Sequence, residues 1–492
     1  MDQFFPSDGW RGIIGREFTL DFILSFAEGF LDFVNEIQKK SNQGFVIGYD
    51  TRQFSREYAL AIANRIGARG TKVYLSKSPV PTPIIATYAT EFNLEGAIIV
   101  TASHFPGDYN GIKFRFQNSR PPSTIELSRI IELAKKYSQG SNNTDYNSSD
   151  NRLVMEINVQ SWYVDFLKHR YKDLLQHIKS NNIQNRKLIV DVMHGTTGNI
   201  LTKILKEIGW SVLELRTEMD PTFGGSRPDP TEPNCQFLLE SVKKHGATLG
   251  IAFDGDGDRT SFIEPTIGYI GSSKIPGLVL LSIQKNLNIK ILKKSFSPCV
   301  VKTFPVTIRV DQLAEKNSLS IIEVPVGFRN IHSNIIDRNA IVGFGDDSSV
   351  IFPPYYSKNG FLTSLFILSL LKHGTLSTHL RKFESDFGEL HYFKNQVRFE
   401  KRSDAESFLN KFAKFARKWN PKKIIKDKNS VKLFLPDDTW FLVRLAGTEN
   451  YIRLYSEGPN QNLIKEKMKV IYLQINSYEG MKVTNRSYTK LN

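Results

Sequence analysis

Short, wholly apolar runs that break into a polar turn and then into an amphipathic helix recur along this chain, and no other feature limits its fold so strongly. Phe22, Ile23, Phe26, Phe30, Phe33, Val34 and Ile37 repeat at helical spacing before FVIGYD (45–50). A second helix over about 56–68 leads to KVYLS (72–76), and a third to AIIVT (97–101). Runs of this length read as strands buried on both faces, which requires helices on both sides of a parallel sheet. The pattern restarts at LIVDVMHGTTGN (188–199), with a helix over 200–208, and continues to TLGIAF (248–253). It returns in CVVKTF, SIIEVPVG and AIVGFG. The expected class is α/β.

With 492 residues, about three to four domains are expected at roughly 150 residues each. SQGSNNTDYNSSDN (138–151) has almost no apolar side chain and reads as a linker. From about 389 the chain turns basic and alternating, with VKLFLP and WFLVRL as strands and a late helix over 464–475. The expected domains are therefore 1–150, 151–264 and 265–380, three similar α/β units with mixed, largely parallel sheets that suggest internal duplication. A smaller α+β domain at 381–492 follows them.

Composition narrows the function. Lys and Arg number 65 against 50 for Asp and Glu, a net +15 spread along the chain. That favours an anionic ligand, whether nucleic acid, lipid headgroup or small phosphate, and its even spread weakens the nucleic-acid reading. Cys235 and Cys299 are far apart with no metal-ligand spacing, so neither a disulfide framework nor a zinc site is expected, and a reducing, cytoplasmic setting fits. Asp2, Asp8 and Arg11 interrupt the start of the chain before a signal-peptide run can form. The longest apolar run, 361–371, is shorter than the about 20 residues of a membrane span. Thr363, Ser364 and Ser369 give it the look of a buried helix.

Three loops carry chemistry. TASHFPGDYNGIKF (101–114) leaves a strand end, where ligands gather in open α/β sheets. Ser103 is its candidate nucleophile, His104 can orient it or bind phosphate, and Lys113 can supply charge or move a proton. An ordinary turn with a surface Ser-His pair is the bland alternative. IAFDGDGDR (251–259) alternates Asp254, Asp256 and Asp258 with glycines, and three carboxylates so close repel one another unless a cation neutralises them. Oxygen-only donors suit Mg²⁺, and the EF-hand pattern is absent because Arg259 and Pro265 stand where that loop needs Gly and Glu. Arg259 adds a phosphate donor beside the carboxylates. In FLVRLAGTENYIRLYSEG (441–458), Arg444 and Arg453 bracket a Gly-Thr turn that can cradle phosphate, or they are simply salt-bridged arginines on a ribbon.

These loops, with SDGWRGIIG (7–15), VIGYDTR (46–52), VDVMHGTTG (190–198), FGGSRPDPTEPN (223–234), VPVGFRNI (324–331), GFGDDSS (343–349) and RLAGTEN (444–450), occur in one order nearly end to end. In this the chain resembles the α-D-phosphohexomutases, and most of all the bacterial and archaeal phosphoglucomutase/phosphomannomutase group. The resemblance implies four domains around a central active-site cleft. It also implies interconversion of hexose 1-phosphate and hexose 6-phosphate through a phosphoserine and a hexose 1,6-bisphosphate, which doubles as activator. Ser103 then matches the phosphorylated serine. Asp254, Asp256 and Asp258 match the ligands of one Mg²⁺, with an oxygen of the Ser103 phosphate completing the set. Arg11 and Lys113 match basic residues that move protons, and Arg259 a donor near the reacting phosphoryl. Gly327, Arg329, Asp346 and Ser348 match the sugar side, and Arg444, Gly447, Thr448 and Arg453 the cradle for the other phosphate.

The pattern is broken in places. Phe105 stands for the usual Asn after Ser-His, and Asp346 and Ser349 stand for Glu and Gly of the sugar signature. Ala446 stands for Ser and Asn450 for Pro in the cradle. A phosphoglucosamine mutase, a non-catalytic sugar-phosphate sensor and a metal-dependent phosphatase are the alternatives. The implied partner is a hexose phosphate acting on a monomer or homodimer, with no nucleic acid and no membrane.

Overall fold

The computed structural model describes residues 8–37, 43–138, 152–180, 183, 185–286, 299–447 and 450–476. Its first sheet contains β1 (Trp10–Ile13), β2 (Phe45–Tyr49), β3 (Val73–Ser76), β4 (Gly96–Val100), β5 (Tyr109–Phe116) and β6 (Val154–Ile157), in the order β1-β5-β4-β2-β3-β6. Strands β4, β2, β3 and β6 are parallel, and β5 and β1 add an antiparallel pair. Every residue of β2 and β4 is buried, as two-sided helical cover demands. The helix Leu20–Ile37 turns Ile23, Phe26, Phe30 and Val34 onto one face, and the Phe30 ring stacks on Phe114 with centroids 4.5 Å apart. The helix Thr124–Lys135, started by a Ser123/Glu126 capping box, packs against it.

The second sheet holds β7 (Lys187–Asp191), β8 (Ser211–Leu215), β9 (Leu249–Phe253), β10 (Thr260–Glu264) and β11 (Gly268–Ile270). The third holds β12 (Cys299–Thr303), β13 (Ser320–Val324), β14 (Val342–Phe344), β15 (Val350–Phe352) and β16 (Tyr355–Lys358). In both, the first strand lies between the second and third and parallel to them, and the fourth and fifth follow antiparallel. The first sheet repeats this winding from β2 to β5 but takes β1 as its fifth strand. The three units thus share one strand winding. The fourth sheet is antiparallel throughout. It runs β17-β21-β20-β19-β18, from β17 (His391–Arg398), β18 (Lys423–Lys426), β19 (Ser430–Phe434), β20 (Trp440–Leu445) and β21 (Tyr451–Gly458).

One apolar core crosses all three α/β domains, from Val46 and Ile84 through Leu188 and Phe253 to Val300, Phe361 and Phe383. The fourth domain has a separate core around Val397, Phe408, Val431, Phe441 and Ile464. It meets the third domain through a small cluster of Phe304, Ile308, Trp440, Leu442 and Tyr455. The apolar run becomes the helix Gly360–Leu370, buried along its whole length, where the Thr363 and Ser364 hydroxyls donate to carbonyls one turn back. No helix among the described residues is long and apolar enough to cross a membrane.

The expected domain limits need correction. Residue 150 precedes β6, which returns to the first sheet by pairing with β3. Residue 264 precedes β11, the hairpin partner of β10. Residue 380 cuts the helix Leu376–Phe387, whose Leu376 and Phe383 belong to the shared core. A polar stretch marks exposed chain but carries no information on which sheet edge the next strand rejoins. Residues 139–151 of the expected linker lie outside the described residues.

Candidate active site

Between β4 and β5 the backbone turns sharply, and Ser103 adopts the left-handed conformation with φ 55°. For a residue with a Cβ this costs about 1–3 kcal/mol and persists only where surroundings over-determine it. Here Arg52 does so. Its Nη2 donates to the Ser103 and Phe105 carbonyls, each at 2.7 Å, and its Nη1 to the carbonyls of Tyr109 at 2.9 Å and of Pro106. Asp50 holds the guanidinium at 3.0 Å and also accepts from Thr101 Oγ1, which in turn accepts from the Ser103 N–H. Phe223 of the second domain covers Arg52 at 4.7 Å. Ser103 is 1% exposed, where its Gly/Pro/Asp/Asn surroundings predict an exposed turn. The aspartate loop of the second domain closes over it.

That loop follows β9. Asp254, Asp256 and Asp258 are buried, and ligand oxygens of all three lie within 4.8 Å of one another. Gly255 is required by close approach: a Cβ there would stand 2.7 Å from the Ser103 carbonyl oxygen and 3.1 Å from Pro228. Gly257 turns the chain with φ 71°. The first domain grips the loop through Thr82, whose N–H donates to the Asp256 carbonyl at 2.9 Å and whose hydroxyl donates to the Asp256 carboxylate. The third grips it through Gly360, whose N–H donates to the Gly257 carbonyl at 3.2 Å.

Ser103 Oγ donates to Asp254 Oδ2 at 2.9 Å, and Lys113 on β5 donates to Asp256 Oδ2 at 2.7 Å and Asp258 Oδ2 at 2.9 Å. The other oxygens of Asp256 and Asp258 are buried with no hydrogen-bond partner. Burial, then Asp258 and Asp256, push Asp254 well above the ordinary carboxylate range. Burial would raise Asp256 also, but Lys113 overrides it and holds the group at about 2. Orphaned buried oxygens, an oxygen-only donor set and a carboxyl destabilised by its neighbours fit a hard divalent cation. Burial opposes the Lys113 charge, yet Asp256, Asp258 and Asp8 raise its value, so this lysine keeps its proton.

Arg259 sits at the edge of the triad, 3.8 Å from Asp258 and 4.0 Å from Asp254, and pairs with Asp347 of the third domain at 3.0 Å. Lys358 reaches Asp347 at 3.3 Å and Asp8 at 3.8 Å, and Asp8 also binds Arg115. His104 has a ring nitrogen 3.5 Å from Ser103 Oγ. Burial, then Arg259 and Arg11, hold that ring well below its usual 6.5, so it is neutral. Arg11 donates to the Asp8 carbonyl at 3.3 Å and lies 5.1 Å over the Phe105 ring, so Phe105 replaces an amide with an aromatic floor under a cation.

Of the residues expected to face the sugar, Gly327 starts the helix Phe328–Arg338 with φ 149°, and Arg329 lies in the field of Asp8 and Arg115. Ser348 is buried with φ 65°. Asp346 turns to the fourth domain, where Tyr455 donates to its Oδ2 at 2.8 Å. Arg444 and Arg453 face each other directly across β20 and β21. Like charges in cross-strand register repel unless an anion lies between them. Gly447 is exposed, Asn450 donates to the Glu400 carbonyl, and Ala446 is buried. Thr448 lies outside the described residues.

Sequence reasoning assigned no role to Asp8, Asp50, Arg52, Arg115, Asp347 or Lys358. The first three stand inside quoted motifs, and an Asp-x-Arg pair directly after a buried strand was the available signal. Arg115 and Lys358 carry no local signature, since the pairing of β1 with β5 brings Arg115 to Asp8 and only the packing of the third domain on the first brings Lys358 there.

The four domains each match a family description: phosphoglucomutase/phosphomannomutase alpha/beta/alpha domain I over residues 2–141, domain II over 162–268, domain III over 278–386, and the C-terminal domain over 396–472. A phosphoglucomutase/phosphomannomutase of Thermococcus kodakarensis is 26% identical over 475 residues, covering 96% of this chain and 98% of its own. A phosphoglucosamine/phosphogalactosamine mutase of Sulfurisphaera tokodaii is 25% identical over 478 residues, covering 96% and 99%. Among solved structures, a putative phosphomannomutase of Thermus thermophilus superposes with a TM-score of 0.74 at 24% identity over 96% of this chain and 99% of its own, a likeness of fold.

Proposed function

Since the chain belongs to the phosphoglucomutase/phosphomannomutase family of phosphohexomutases, we propose that it interconverts hexose 1-phosphates and hexose 6-phosphates through phosphorylated Ser103. The observation that carries this reading is the Ser103 hydroxyl 2.9 Å from Asp254, inside a buried carboxylate triad. A hydrolase built on the triad alone would need no serine there.

In this reading a hydroxyl of the hexose monophosphate attacks the phosphorus on Ser103. The new P–O bond forms as the P–Oγ bond breaks, and the hydroxyl proton passes by way of the His104 ring to the leaving serine oxygen, 3.5 Å from that ring. The resulting bisphosphate turns over and returns its other phosphoryl group to Ser103, whose hydroxyl proton passes back by way of His104 to the leaving sugar oxygen. Asp254, Asp256 and Asp258 would hold Mg²⁺, which when bound supplies positive charge to the transferring group. Arg259 binds equatorial oxygens of that group. Lys113 stays charged and keeps Asp256 ionised. Arg444 and Arg453 bind the phosphate that is not reacting, at either end of the sugar, and hexose 1,6-bisphosphate serves as activator.

The relatives are named for different sugars, which favours a second reading in which the substrate is a glucosamine phosphate. Phosphorus NMR of the protein with glucose, mannose or glucosamine 1-phosphate, Mg²⁺ and a trace of glucose 1,6-bisphosphate tests both. A 6-phosphate product is expected from at least one sugar. Free phosphate alone, or no change with any of them, overturns the proposal.

A further inference from the structure

Resting on the mutase reading, we propose that the two adjacent aspartates of the third-domain loop act in opposite directions. Asp347 serves the reacting end, whereas Asp346 is a positioning residue that couples this loop to the phosphate-binding face of the fourth domain through Tyr455 and Lys394.

The contacts divide cleanly. Asp347 binds Arg259 at 3.0 Å and Lys358 at 3.3 Å, and it accepts from the Ser349 hydroxyl. Through Arg259 it joins the triad beside Ser103. Asp346 shares none of these partners. Its Oδ2 accepts from Tyr455, its backbone carbonyl accepts from Lys394 Nζ at 3.2 Å, and the same ammonium lies 4.0 Å from Oδ2 and 5.6 Å over the Tyr455 ring. Lys394 on β17 and Tyr455 on β21 are direct cross-strand partners, so they share one face of the fourth sheet.

Arg453 stands two residues before Tyr455 on β21, and side chains two apart on a strand lie on the same face. Arg444 is its partner across β20. Asp346 therefore meets a cationic face that also carries both cradle arginines, and Lys394, Arg444 and Arg453 all act on its charge. A strand that shifts when an anion settles between Arg444 and Arg453 carries Tyr455 with it, and the Tyr455 hydroxyl then pulls on the Asp346 carboxylate. Because Asp347 is the next residue, that displacement reaches Arg259. The shorter carboxylate at position 346 suits this role, since it already has a full partner in Tyr455.

The test uses full-length Tyr455→Phe, Asp346→Asn and the double variant. In wild type, inorganic phosphate is expected to alter amide hydrogen exchange at residues 345–349, and Tyr455→Phe should raise the basal exchange there and abolish the response. KM should rise by the same factor, about tenfold for a lost hydrogen bond to a charged group, for every sugar phosphate that wild type turns over. The double variant should be no worse than the more affected single one. Asp347→Asn should act on kcat instead. The proposal fails if Asp346→Asn alters the ratio between sugars while Tyr455→Phe does not, since Asp346 would then read the sugar. It also fails if the two effects multiply in the double variant, or if exchange at 345–349 ignores both phosphate and Tyr455. The exchange arm needs no turnover, so it decides the coupling even if the mutase reading falls.

Discussion

Ser103 and the Asp254 to Asp258 loop are held by backbone hydrogen bonds, glycine close approach and a guanidinium that reaches four carbonyls, whereas the third and fourth domains meet through single side chains, Tyr455 and Lys394 on Asp346, Lys432 on Glu323 and the Phe304 carbonyl, and Glu457 on the Ile308 N–H, around a small apolar cluster. The first junction lies within a core common to three domains, and the second joins two separate cores. The difference follows what each must do. Phosphoryl transfer tolerates little misplacement of the reacting atoms, while a cradle that takes phosphate from either end of a sugar has to adjust. In the proposed mechanism, rigidity lies where bonds change and compliance where substrate is recognised.

The strongest break of this contrast is chemical. Ser103→Ala should lower kcat by on the order of 10³-fold or more, since the proposed transfer runs through this hydroxyl, while circular dichroism stays unchanged. Phosphopeptide mapping of the purified protein should find the phosphate on Ser103. Appreciable turnover by the Ala variant would remove the serine from the mechanism.

Next in size is Arg52→Met. It leaves buried carbonyls and the Asp50 carboxylate without their partner, so a stability loss of about 3–5 kcal/mol is expected, with kcat falling as the serine loop relaxes. If denaturant unfolding shows less than about 1 kcal/mol of change, the serine loop is held by something other than this guanidinium.

A pH experiment sharpens the contrast from the packing side. His332 lies where the third domain meets the first, and burial, then Arg115 and Arg120, lower it to about 3. Between its ordinary 6.5 and 3 the unfolded chain binds a proton that the folded chain does not. Stability is thus full above 6.5 and is lost as pH falls toward 3, by about 2 kcal/mol at pH 5. His332→Phe should flatten that slope in urea titrations from pH 7 to 5. An identical slope in both proteins would mean that this histidine is not kept neutral by the junction.

The smallest effect is expected in the compliant region. Ala446→Ser restores a hydroxyl to the cradle, worth about 1 kcal/mol at best, but Ala446 is buried, and hiding a hydroxyl offsets part of the gain. KM should fall less than about fivefold and equally for all sugar phosphates turned over. A gain confined to one sugar would show that the cradle reads more than phosphate.

The amino-acid sequence by itself determined the α/β class, the recurrence of its units, the serine loop and the aspartate triad, because apolar runs and clustered carboxylates have few physical solutions at short range. The tertiary structure alone decided that β6 returns to the first sheet, that Ser103 is buried, and that Lys358 and Arg115 reach the site. It also decided that adjacent Asp346 and Asp347 face different domains. These depend on pairings between residues far apart in the chain, such as Tyr455 with Asp346 or Lys113 with Asp256. Local spacing carries no information about which distant charge or sheet edge will be brought opposite, since that is settled by how the separate layers pack to close one core.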